Sequence, residues 1–142
     1  MKLFFLILLF PSLLVGLMTE GDNHGDIVLK FGKLKNKKGK ILISIFNSAD
    51  GFPENEKKAY KSWVEDPKDE IVLKDIPAGN YALTLLHDED ANFKMTYNLF
   101  QYPKEQFAFS NIKSMVLKIP SFEKTRFLHK KEGTILEIKM LN

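Results

Sequence analysis

The chain has no cysteine. That absence excludes disulfides, thiolate metal centres, lipid attachment through an N-terminal cysteine, and cysteine nucleophiles. Although export permits disulfides, the fold must be held by its apolar core alone. Arginine is nearly absent, so lysine supplies almost all the positive charge, and the net charge of +3 is mild. Taken with the signs of export below, this argues against a nucleic-acid partner. Internal repeats, low-complexity segments and domain linkers are missing, as are nucleophile-elbow and metal-hydrolase motifs.

What is present starts with a hydrophobic leader. Lys2 gives a short positive region, Leu3 to Phe10 is an unbroken apolar run, Pro11 interrupts it, and Leu13 to Met18 continue it. This is the layout of a secretory signal peptide. A transmembrane helix needs about 20 unbroken apolar residues, more than this run offers. A small-x-small cleavage pattern is lacking, with only Gly16 and Thr19 as small residues near the junction, so an uncleaved anchor is the alternative. The expected organisation is a signal peptide over residues 1–19 and one domain over 20–142. The product would be exported to the periplasm, the cell surface or the medium, with no integral membrane span once the leader is removed.

Period-two alternation dominates the rest, which predicts strands. Ile27, Leu29 and Phe31 form one apolar series. Ile41, Ile43 and Ile45 form another beyond a lysine-rich turn ending at Gly39, and the two runs read as an antiparallel pair. Ile71 and Leu73 begin a third run. Pro77-Ala78-Gly79-Asn80 has turn chemistry and leads into a fourth, Tyr81 to Leu86, apolar on both faces and therefore central. The last strand is Thr134 to Leu141, with Leu136, Ile138 and Met140 on its apolar face. Phe107–Asn111 and Met115–Ile119 read as short strands, Phe122–Leu128 as helix or strand, and Asn55–Glu65 as a short helix carrying Trp63. The expected class is all-β: a single antiparallel β-sandwich of about seven strands with one short helix near residues 55–65.

The pieces PAGNYAL (77–83), HDEDAN (87–92), FAFSN (107–111) and PSF (120–122) occur in that order. In this order they resemble the exported bacterial family called domain of unknown function 2141, whose members look like small transthyretin-like (prealbumin-like) sandwiches. The family motif reads roughly H-D-E-N-x-N-G-K-L-D-x-N followed by P-x-E-G-Y-G-F-S-N. Here His87, Asp88, Glu89, Asp90, Asn92, Lys94, Met95 and Asn98 match the first part, and Pro103, Glu105, Phe107, Phe109, Ser110 and Asn111 the second. The resemblance covers the chain from about Asp26 to Leu141. It implies a fold and no activity. The motif's first glycine is Phe93 here, its later aspartate is Thr96, and two further glycines are Gln106 and Ala108. If the loop needs positive φ at those glycines, Phe93 is strained or the loop takes another course.

Asp88, Asp90 and Asn92 stand at i, i+2 and i+4, the spacing with which a calcium loop begins, because alternate residues of a curling loop aim their oxygens inward together. An EF-hand also needs glycine at its sixth position and a bidentate glutamate at its twelfth; those positions are Phe93 and Leu99. Glu89 or Glu105 could complete a different oxygen site, with weak affinity near roughly 10⁻⁴–10⁻³ M as in extracellular modules. The competing reading is a polar loop whose Asp and Asn side chains hold their own turns. No cofactor other than calcium is suggested.

His87 beside Asp88 and Glu89 invites an acid–base reading, with Ser110 as a nucleophile, but the sequence assigns no catalytic residue. His129 falls beside Lys130 and Lys131 at an expected turn. The lysines of residues 30–40 could meet anionic headgroups or glycans; the simpler reading is a solvated hairpin whose charges blunt an edge. Phe107 and Phe109 share one strand face, which favours the core, while Tyr97, Phe100 and Tyr102 are the aromatics expected at the surface. The functional expectation is a non-enzymatic module of the cell envelope, binding an unidentified ligand or envelope component through the 87–111 loop, with His87, Glu89, Tyr97, Tyr102 and Glu105 as contacts. The alternatives are a hydrolase or isomerase using His87 with an acidic neighbour, and a purely structural accessory domain.

Overall fold

The computed structural model describes residues 23–114 and 118–142. The leader lies outside these residues, as does most of the strand expected at Met115–Ile119. The strands are β1 (His24–Phe31), β2 (Lys40–Phe46), β3 (Lys61–Glu65), β4 (Glu70–Pro77), β5 (Gly79–Asp88), β6 (Gln106–Phe109), β7 (Phe127–His129) and β8 (Thr134–Ile138). A 3-10 turn at Glu56–Lys58 and one helical turn, α1 (Phe122–Thr125), complete the elements. All of them lie beyond residue 23, so a chain beginning at Thr19 holds the whole described fold. Among the described residues no helix is long and apolar enough to cross a membrane.

The strands form two sheets, ordered β4–β1–β8 and β3–β2–β5–β6, with β7 pairing the start of β5. Alternation sends one side of each strand inward, as the period-two pattern requires. Ile27, Leu29, Ile71, Leu73 and Ile138 from the first sheet share one core with Ile41, Ile43, Ile45, Leu83, Leu85 and Ala108 from the second. Each aliphatic side chain so buried contributes about 1.5–3 kcal/mol against chain entropy. The outer face of the larger sheet has a smaller cluster at one end, where Phe52 and Phe122 cover Phe46 and Ala82.

The expected all-β sandwich is what forms, with eight strands among the described residues where about seven were expected. Several details are corrected. The sandwich is not wholly antiparallel: β8 runs parallel to β1, Leu29 opposite Leu136. Alternation reports which face a side chain takes, not strand direction. The chain reaches β8 from β7 by crossing between sheets, and buried His129 stitches that crossing through Nδ1 to the Thr134 hydroxyl (2.9 Å) and Nε2 to the Ile76 carbonyl (3.0 Å). For the same reason β1 and β2 are not a hairpin. β1 pairs β4 and β2 pairs β5, and the connection between β1 and β2 crosses the sandwich, burying Leu34 in the core.

The helix expected at 55–65 is the 3-10 turn followed by β3. Ile43 opposite Trp63 and Ser44 hydroxyl-bonded to Ser62 at 2.8 Å show why. An open edge of β2 templates a strand, and Trp63 then packs against the core. Phe122–Leu128 is helix first and strand second. In β6 the core-facing residues are Gln106 and Ala108, which are buried, while Phe107 and Phe109 lie half-buried on the outer face, in edge contact at 5.9 Å.

Candidate functional site

Between Asp88, the last residue of β5, and Gln106, the first of β6, runs the long loop. Asp88 is fully buried. Its Oδ1 accepts the N–H of Asn92 (3.1 Å) and its Oδ2 that of Phe93 (2.7 Å). Exposed Asp90 accepts the Asn92 N–H (3.2 Å), the Asn92 side-chain amide (2.9 Å) and the Thr96 hydroxyl (3.3 Å). Buried Glu105 ties the loop shut, one carboxylate oxygen accepting the Glu89 N–H (3.0 Å) and the other the Thr96 N–H (2.8 Å). The chain can curl around Asp88 because Ala91 (φ 56°) and Phe93 (φ 62°) are left-handed.

One oxygen from each of Asp88, Asp90 and Glu105 lies within 4.8 Å of the others. Three converging carboxylates are hard oxygen donors of the kind that suit calcium. Each oxygen of Asp88 and Glu105 accepts one of these N–H bonds, which leaves lone pairs for a cation. Asn92 turns its side-chain N–H towards Asp90 (2.9 Å), and its Oδ1 accepts the Lys94 N–H at 2.7 Å. Glu105 joins the two aspartates. Glu89 faces away from them, accepting the Asn36 amide at 2.7 Å.

The outer half of the loop is a small hairpin prong. Lys104 donates its N–H to the Thr96 carbonyl (2.8 Å), Asn98 donates to Tyr102 (2.9 Å), and Tyr97 bridges Pro103. A turn closes it, with Gln101 N–H on the Asn98 carbonyl at 3.0 Å. Tyr97 and Tyr102 are both exposed, as expected.

Between the loop and the outer face of the larger sheet lies an open groove of about 570 Å³. Phe93, Met95 and Tyr97 form its loop wall, Phe107, Phe109 and Leu86 its floor, and Lys118 and Glu56 stand among its polar residues. Reading the residues in order missed Phe93 and Met95 as lining, and placed Phe107 and Phe109 inside the core. Ala108, the small residue between the two aromatics, is the one that faces the core.

The remaining candidates have structural partners. His87 is fully buried, its Nε2 2.8 Å from the Lys38 carbonyl, and its Nδ1 meets no partner among the described residues. It is not among the residues that line the groove. Ser110 is buried too: its hydroxyl donates to the Thr125 carbonyl (2.6 Å) and accepts the Leu83 N–H (2.9 Å). The lysine-rich connection rests on the loop base through Asn36 to Glu89, Lys38 to His87, and the Lys35 N–H to Gln106 (2.7 Å).

Residues 29–136 match a family model described as "Uncharacterized protein conserved in bacteria (DUF2141)". No curated protein and no solved structure matches the chain.

Proposed function

The chain belongs to this family of uncharacterized bacterial proteins, and on that premise we propose that it is an exported, non-enzymatic binding module of the cell envelope. Its ligand occupies the groove between the Asp88–Asn111 loop and the outer face of the larger sheet. A calcium ion held by Asp88, Asp90 and Glu105 stiffens the loop that forms one wall.

The observation that carries this reading is the groove itself. Its volume of about 570 Å³ falls within the range of roughly 300–1,000 Å³ common for small-ligand sites. Its walls are aromatic and aliphatic, and Lys118, Glu54 and Glu56 are polar groups available to orient a ligand. The ligand class is therefore a mainly apolar molecule with a polar group. Conspicuous long loops in compact domains are often functional, and this one is held in shape by carboxylates rather than by apolar burial.

Two measurements test it on residues 19–142. The first is thermal unfolding in EDTA and in millimolar calcium, since a ligand that binds only the folded state raises the midpoint. At ten times the dissociation constant the rise should be about 5 °C, and it should vanish in an Asp88→Ala, Asp90→Ala double variant. The second is titration with the apolar dye Nile red, whose affinity should fall several-fold in Phe93→Ala and Tyr97→Ala. Unchanged dye binding in both variants would refute the groove; an unchanged midpoint would refute the cation.

A further inference from the structure

The apex of the prong at Thr96–Lys104, Leu99 and Phe100, does not line the groove. There Leu99 is 97% and Phe100 80% exposed. Tyr97 and Tyr102 come next on the two arms, more than half exposed. Towards the base stand Lys94 and Lys104, both exposed and without an ion pair among the described residues. From tip to base the order is apolar, then aromatic with a hydroxyl, then cationic. A bilayer presents acyl chains, interface and lipid phosphate in that order.

The backbone of the tip distinguishes this surface from an ordinary protein contact. Amides entering an apolar phase must already have partners, because hydrocarbon supplies none. Asn98 supplies acceptors for three N–H groups of the tip: its Oδ1 accepts those of Phe100 (2.9 Å) and Tyr102 (3.0 Å), and its carbonyl accepts that of Gln101 (3.0 Å). At strand rise, Lys104 lies about 13 Å from Phe100 along the arm, enough for insertion of about 5–10 Å, the depth of interfacial apolar segments, with the ammonium left at the headgroups. The lysine-rich connection, tied to the loop base, adds exposed Lys33, Lys35 and Lys38. Of the loop's four acidic groups, Asp88 and Glu105 are buried on N–H donors, Glu89 is half-buried and accepts the Asn36 amide, and Asp90 is exposed.

We infer that the Thr96–Lys104 prong docks the domain on an anionic lipid surface, with Leu99 and Phe100 entering the boundary between headgroups and acyl chains. This goes beyond the proposed ligand groove and needs neither the groove nor the cation.

The test is co-sedimentation of residues 19–142 with vesicles of phosphatidylethanolamine and phosphatidylglycerol, in EDTA and again in calcium. The Leu99→Ser, Phe100→Ser double variant should lower the partition coefficient about tenfold or more. Its unfolding midpoint and Nile red affinity should be unchanged, which keeps this inference separate from the groove. Ile135→Ser, which removes a side chain 63% exposed elsewhere, should leave vesicle binding as it was. Lys94→Glu with Lys104→Glu should weaken binding to these vesicles and spare any residual binding to pure phosphatidylcholine. The inference is overturned if neither buffer gives binding, or if the tip variant binds as the parent does. A tip-dependent dimer in sedimentation velocity without lipid would also overturn it, making a second copy of the chain the occupant.

Discussion

Gly39 lies so close to Asp88 that a Cβ on it would fall 1.9 Å from the Asp88 carbonyl oxygen, and its own φ is +68°. The end of the lysine-rich connection and the end of β5 thus meet backbone to backbone, directly beneath the loop. The expected effect of Gly39→Ala is a loss of about 2–4 kcal/mol, because strain and overlap act together and neither neighbour is a movable side-chain tip. Gly32→Ala is the matched control, since its Cβ would meet only the Ile138 carbonyl oxygen at 3.6 Å; it should cost less than about 0.5 kcal/mol. Urea unfolding of the two variants checks this, and equal midpoints would show that the contact is relaxed in solution.

Phe93 holds a left-handed backbone (φ 62°) while donating its N–H to Asp88. A β-carbon there costs about 1–2 kcal/mol relative to glycine, yet the ring lines the groove. Phe93→Gly should therefore raise stability by about 0.5–1 kcal/mol after glycine's own entropy loss, while weakening Nile red binding. Phe93→Ala should weaken the dye equally without the gain in stability. If both variants are destabilised alike, the ring is a packing element and not a groove wall.

These residues show how far the chain could be read unaided. The departure at Phe93 was visible in the motif, and the alternative it posed is now resolved: the loop keeps the left-handed course and bears the strain. The replacements at Gln106 and Ala108 are of a different kind, because both sit in β6 with their side chains buried. Core positions were legible from alternation at Ile27, Ile41, Leu83 and their neighbours. Partners were not, since β1 could satisfy the same alternation beside β2 or across from it. The carboxylates Asp88 and Asp90 were legible from their spacing, whereas the place of Glu105 beside them depends on how far the prong carries the chain before it returns.

Glu105 bridges the two limbs of the loop through Glu89 and Thr96. Glu105→Ala leaves two N–H groups without partners and should cost about 2 kcal/mol, and Glu105→Gln, which keeps one acceptor, about half of that. Both variants should lose part of the calcium-dependent rise in unfolding midpoint. Guanidinium unfolding in EDTA isolates the first effect and calcium titration the second. A cost equal in the two variants would mean that the pair of N–H bonds does not hold the loop.

Tyr81 is buried at the junction of β5 and β7, its hydroxyl donating to the Pro77 carbonyl at 3.0 Å and its ring 5.6 Å from Tyr60. Burial raises its phenol above the ordinary value, and the nearby Tyr60 acts in the same direction. The folded state therefore holds this proton more tightly than the unfolded chain does. Its contribution to stability is complete below the unfolded value, about pH 10, and is lost as the pH rises through the higher folded one. An ultraviolet titration should show a tyrosinate component above the ordinary phenol range that disappears in Tyr81→Phe. At neutral pH that variant should lose about 1 kcal/mol with the Pro77 hydrogen bond. Above about pH 10 its stability should fall less steeply than the parent's, because a proton the fold was holding is gone. Parallel stability curves for the two proteins in alkali would show that Tyr81 is not the group responsible.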